Sequence, residues 1–233
     1  MQYPNILKVF YLIKRKDENE SENEEQYNDS EEEDFSSSDE LTTCDYYIIE
    51  ELCKYDLEKF IHISQKKRNG INSQTKKKII NQIVDAMCHC HSQEKKIIHR
   101  VFFFSNILIT ENEDVKICFF FFAKILENEL NNTPGVFFFL YMAPELYMND
   151  GYIFFFFLDI YSFGYILCYI LFFFFEFETA SLQEKAKNIF FFFDNVITEI
   201  EARNLIYQCW ELQPENRPSF EEIKSRINLW SFE

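Results

Sequence analysis

The chain has 233 residues, a formal net charge of −16, and 29 phenylalanines against 4 glycines and 5 prolines, so its length admits one sizeable core, with one domain the first expectation and two small ones the alternative. The charge is local: 14 Asp or Glu and no Lys or Arg lie between Asp17 and Asp45, and −16 less −14 leaves −2 for the rest, which gives no hint of a nucleic-acid footprint. Seven cysteines, an odd number without small-domain spacing and with no signal peptide ahead of them, exclude a disulfide scaffold and point to a reducing compartment, cytosolic or nuclear.

In chain order, "YPNILKVFYLI" (Tyr3 to Ile13) has the apolar density of a strand entered through a Pro-Asn turn. The acidic, serine-bearing stretch that follows, residues 14–44, has too little apolar surface to offset its ordering entropy and reads as a disordered insertion. "DYYIIEEL" (Asp45 to Leu52) resumes as a strand, and "YDLEKFIHIS" turns helical with Leu57, Phe60 and Ile61 on one face. Lys77 to His91 is a second helix, with Ile79, Ile80, Ile83, Val84 and Met87 at the 3,4 spacing. Its end, Cys88-His89-Cys90-His91, lacks zinc-finger spacing and reads as part of the helix rather than a metal cluster.

Two short strand-like pieces, "NILIT" and "DVKIC", then flank the turn "ENED". From Ala143 onward the pattern predicts helices around Asp159 to Leu171, Ile200 to Trp210 and Ser219 to Leu229, the last opened by Ser219 with Glu222 as a capping box. The uncharged run Ile160 to Phe175 could span a membrane by length, but Asp159 at its start and flanks without Lys or Arg favour a buried helix. The expected fold class is mainly α with a small β remnant in front (α+β), and no membrane partner.

The motifs that carry chemistry fall in a fixed order. "IIHR...SNILI" matches H-R-D-L-x-x-x-N at His99, Arg100 and Asn106. "DVKIC" followed by "AKIL" brackets the place of a D-F-G, "YMAPEL" holds an A-P-E at Ala143, Pro144 and Glu145, and "DIYSFGYIL" and "CWELQPENRPSFEEI" follow. Together these resemble the protein kinase family, nearly from end to end. The closing motif resembles its tyrosine-kinase-like branch, and the place of "SN" before "ILI" favours serine/threonine specificity.

The resemblance implies a partial kinase domain over 1–233: residues 1–13 and 45–52 as remnants of the N-terminal lobe and hinge, 53–233 as the C-terminal lobe, most of the small lobe being absent. ATP and Mg are the implied cofactors and proteins the implied substrates. Asn106 would hold the magnesium ion, Leu108 would pack under the adenine, and the backbone of Glu51 and Cys53 would be the hinge. Asp159 would accept hydrogen bonds from the backbone near His99 and Arg100, and Arg217 would pair with Glu145; plain core packing is the bland reading of Leu108, and helix capping of Asp159.

Against this frame, the catalytic Asp position is Val101, the phosphate-contacting Lys position is Phe103 and the magnesium-binding Asp position is Phe119; Phe120 alone keeps the family's residue. A phenyl ring neither accepts a proton nor ligates a hard cation, so the chain as written should not catalyse phosphoryl transfer. No Gly-rich loop is present either, the glycines being Gly70, Gly135, Gly151 and Gly164.

The phenylalanines have a period. Blocks begin at Phe102, Phe119, Phe137, Phe154, Phe172 and Phe190, steps of 17 or 18 residues, or about 53 nucleotides, which is shorter than a solenoid repeat and not a multiple of a codon. Runs of thymine overwriting an ordinary kinase gene account for the step and for the edges: GAT struck from its second base becomes Val, and Val101 stands at the Asp position. The other reading is a real pseudokinase serving as a non-catalytic docking or scaffold module. Ser30, Ser36 and Ser37 each have an acidic residue three positions on and suit an acid-directed kinase, though a solvated spacer is the bland alternative. Thr133 before Pro134 is a candidate activation-segment phosphosite with Arg100 as charge partner, or a simple turn threonine.

Overall fold

A computed structural model of the chain describes residues 3–14, 46–66, 70–92, 96–126, 143–145, 155–172 and 200–230. The acidic tract, with Ser30, Ser36 and Ser37, and the segment holding Thr133 lie outside the described residues. The chain divides into two compact units, Lys8–Glu51 and, together, Met1–Leu7 with Leu52–Glu233.

The smaller unit contains an antiparallel ribbon of β1 (Val9–Lys14) and β2 (Tyr46–Glu50), with a register shift between Val9 and Tyr11. Because directly opposed residues share a face, Tyr11, Ile13, Tyr47 and Ile49 line one side and Leu12 with Ile48 the other. All six are exposed. The strand expected from Tyr3 is shorter than its apolar density suggested: Pro4 and Asn5 turn, and Ile6 makes only a parallel bridge to Ile117.

The larger unit holds five α-helices among the described residues: α1 (Leu57–Lys66), α2 (Ser73–Ser92), α3 (Phe155–Phe172), α4 (Ile200–Cys209) and α5 (Phe220–Ile227). Two small sheets accompany them. β3 (Tyr55–Asp56), β5 (Ile107–Ile109) and β6 (Val115–Ile117) pair in that order, and β4 (Lys96–Ile98) pairs with β7 (Lys124–Leu126).

Local chemistry sets the helix boundaries. Tyr55 and Asp56 pair with β5 instead of beginning the helix, and Asp56 then caps α1 by accepting the Lys59 N–H at 2.6 Å. α2 starts at Ser73, ahead of the apolar period, because Asn72 accepts the Thr75 N–H at 2.8 Å; the polar turn that follows carries no periodic signal. The capping box at Ser219 and Glu222 is closed in both directions, at 3.2 and 2.6 Å.

The core gathers Ile79, Ile80, Ile83 and Met87 of α2 against Phe163 and Leu167 of α3, Leu205 of α4 and Phe220 of α5. The α2 residues are the face the 3,4 spacing marked out. α3 is apolar nearly all round, as befits a helix at the centre of a bundle, and no helix among the described residues is long and apolar enough to cross a membrane. Its Gly164 is required sterically: a Cβ there would lie 2.5 Å from the Trp210 Nε1.

Candidate active site

The site is built around Asp159, on the first half of α3 and 1% exposed. Its Oδ2 accepts the His99 N–H at 2.8 Å and its Oδ1 accepts the Arg100 N–H at 2.9 Å. A buried carboxylate with charge-assisted backbone bonds on both oxygens fixes the peptide between β4 and the next turn. Arg100 adopts a left-handed φ of 68°, uncommon for a residue with a Cβ, and the bonds on either side of it hold that conformation in place.

The loop is closed from its other end. The Asn106 side chain donates Nδ2–H to the Val101 carbonyl at 2.7 Å, the Cys118 N–H donates to the Asn106 carbonyl at 2.9 Å, and His99 Nε2 donates to the Cys118 carbonyl at 2.8 Å. The His99 ring packs at 4.7 Å against Phe120. Burial, above all, pushes the His99 pKa down, with Asp159 and the Cys118 carbonyl acting against it. Burial also lowers Arg100, opposed by Asp159, and Lys124 is lowered by burial and then by the charge of Arg100. Residues 99, 100, 106, 118 and 120 are thus one hydrogen-bonded and packed frame.

A second anchor lies at the base of α3. The Arg217 guanidinium, 3% exposed, donates to both oxygens of Glu145 at 2.6 and 2.7 Å, to the Phe157 carbonyl at 3.0 Å and to the Glu211 carbonyl at 2.9 Å. Its planar fork meets the carboxylate with two bonds at once, the strong form of this pair. Tyr161 lies 4.9 Å beneath it.

The chain matches the protein kinase domain over residues 9–227. It belongs to the protein kinase family. A stretch of 71 residues is 37% identical to cyclin-dependent kinase-like 1 of Caenorhabditis elegans; that stretch is 30% of this chain and 19% of that protein's length.

Within this kinase domain the positions expected to carry charge are hydrocarbon. Val101 is buried, 4% exposed, so its side chain sits in a setting that would desolvate an acid. Phe103 is half-buried and packs on the core. Phe119 takes a left-handed φ of 65° and is 47% exposed. Asn106 is buried with its amide nitrogen committed, so its contribution to a cation is a single neutral oxygen. Such a donor set does not fit a magnesium ion, which binds through carboxylates and phosphates.

The remaining predicted residues are spread over both units. Leu108 is half-buried in β5, opposite Asp56 and Lys116. The Glu51 N–H donates to the Lys8 carbonyl at 2.9 Å, and Cys53 is half-buried. The Cys88 to His91 run diverges along α2: His89 stacks on Tyr3 at 4.3 Å, His91 turns to Asp159, and burial pushes the Cys88 and Cys90 thiols up to about 12, which keeps them protonated and poor ligands. His91 is the site residue that the sequence did not reveal, since its partner is 68 positions away.

Proposed function

We propose that this chain is a serine/threonine-type protein kinase domain, of the tyrosine-kinase-like branch, in which phosphoryl transfer is disabled. Residues 53–233 are read as its C-terminal lobe, and 1–13 with 45–52 as parts of the N-terminal lobe and hinge. The observation that carries this reading is the pairing of an intact frame at His99, Arg100, Asn106 and Asp159 with Val101, Phe103 and Phe119 at the charged positions. Phosphoryl transfer needs a proton acceptor and charge around the phosphates, and hydrocarbon supplies neither. ATP and Mg remain the family's cofactors. Residence in the cytosol or nucleus is supported by the odd cysteine count.

The Phe blocks are read as overwritten codons. Phe121 is 82% exposed while Phe102, at the leucine of the H-R-D-L pattern, is 1% exposed, so one residue type serves opposite environments. The left-handed backbone at Phe119 suits Asp or Asn far better than a phenyl group. Incubation with labelled ATP and a serine/threonine protein substrate tests the reading of activity: no incorporation above blank is expected, and phosphoserine or phosphothreonine formed in proportion to enzyme contradicts it. Sequencing independent transcripts tests the overwriting; the same Phe codons recurring without thymine runs would rule it out.

A second reading, a non-catalytic docking module, draws on the acidic tract with Ser30, Ser36 and Ser37. Phosphate on those serines in cells, with a protein partner lost when the tract is deleted, would favour it over the first.

A further inference from the structure

Among the described residues β2 pairs with β1 alone, so the N–H and C=O groups along its outer edge have no strand beside them. Neither side of this ribbon is polar: Tyr11, Ile13, Tyr47 and Ile49 are exposed on one, Leu12 and Ile48 on the other. A two-stranded ribbon is marginal in water by itself and gains most from further strands that extend the same faces.

The two edges differ in how they are guarded. β1 is bounded in sequence by Lys8 and by Lys14-Arg15-Lys16, and its register breaks between Val9 and Tyr11. Charge and irregularity are devices that keep an edge from pairing. β2 has neither along its length: its five residues run without interruption, and only the last, Glu50, is charged.

Symmetry points to the partner. A strand that pairs antiparallel with its own copy about a two-fold axis keeps each side chain on its own face, so the axis passes through a residue and not between two. Centred on Ile48, the pairing uses all five residues: Ile48 opposes Ile48 of the second copy, Tyr47 opposes Ile49, and Tyr46 opposes Glu50. The Tyr47–Ile49 contact sets an aromatic against a β-branched side chain, a favourable cross-strand pair, and the axis makes it occur twice. No like charges meet. By contrast, β1 against its own copy, centred on Tyr11, brings Lys8 opposite Lys14, and β1 against β2 of another copy repeats without closing.

We propose that the outer edge of β2 is a self-association surface, joining two copies of this chain in a four-stranded antiparallel sheet ordered β1-β2-β2-β1 about a two-fold axis at Ile48. Nucleotide plays no part in this contact, so its test does not depend on the phosphotransfer reading. Gel filtration with light scattering reads it on the full chain at about 50 µM, a concentration that populates a micromolar dimer. The expected mass is twice 28.3 kDa. Ile48→Lys and Ile48→Glu each bring like charges face to face at the axis, and each should return the mass to 28.3 kDa. Mixed in equal amounts, the two variants should recover the doubled mass, because opposite charges then meet. Leu12→Lys alters the same face one strand away from the edge and should leave the dimer intact.

A monomeric parent chain would overturn the proposal and leave the edge to a strand of another protein. A dimer that survives Ile48→Lys, or a mixture of the two variants that stays monomeric, would overturn it equally. Dissociation by Leu12→Lys would mean that faces stack and edges do not pair, and species larger than two copies would contradict an axis that closes.

Discussion

Between His99 and Asn106 the backbone and the side chains tell different stories. On the anchored side, Asp159 accepts two consecutive amides, Asn106 closes on the Val101 carbonyl, and His99 closes on the Cys118 carbonyl. On the reactive side, Val101, Phe103 and Phe119 present only hydrocarbon. A loop's shape is thus set by groups that lie largely outside its reactive positions: a carboxylate on α3, a carbonyl after β6 and the backbone itself. Side chains at the reactive positions can be replaced without dismantling that shape, which is why the frame identifies a family and the side chains decide whether chemistry follows.

Breaking the anchored side should cost most. Asp159→Ala leaves two backbone N–H groups and the His91 donor buried without their acceptor, and we expect a loss of about 3–5 kcal/mol in urea unfolding. A loss under about 1 kcal/mol would mean that water replaces the carboxylate and that the anchor is weak. Arg217→Ala should come next, at about 3–4 kcal/mol, because it strands the Glu145 carboxylate and the two carbonyls at the base of α3. Adding Glu145→Ala to that variant should recover part of the loss, since the stranded charge goes with it.

Acid should weaken the same side through His99. Burial holds its folded pKa below the ordinary 6.5, so the unfolded chain takes up a proton near that pH while the folded loop does not. Stability from this source is complete above about 6.5 and is lost as the pH falls from there toward the lower folded value. Unfolding midpoints measured from pH 7.5 down to 5.5 should therefore decline, and His99→Phe should flatten the slope; a slope unchanged in the variant would place the proton uptake elsewhere. Smallest, and opposite in sign, is a change on the reactive side. Phe119→Asn suits the left-handed backbone and exposes less hydrocarbon, and we expect a gain of about 0.5–1 kcal/mol.

What the sequence revealed follows the range of the interactions. α1 was legible because Leu57, Phe60 and Ile61 recur within one turn, and the Ser219–Glu222 capping box because both partners lie three residues apart. The core of α2 was legible for the same reason, whereas its polar first turn was not. The β4–β7 pair escaped because strands of three residues show no alternation, and its partners meet only after the chain has passed through the loop and β6. His91 escaped because its place in the helical pattern says nothing of a partner, and its bond to Asp159 depends on α2 and α3 packing together. That Val101, Phe103 and Phe119 carry no charge was legible at once, since a missing carboxylate needs no fold to be noticed.

The central claim is that a kinase frame stands here without the charges that engage nucleotide and metal. A thermal-unfolding titration of the full chain with ATP, with and without magnesium, tests it most directly, because a ligand bound to the native state must raise its stability. We expect a midpoint that does not move with magnesium at any ATP concentration up to the millimolar range. A rise that grows with ATP, requires magnesium and is lost on chelation would contradict the account.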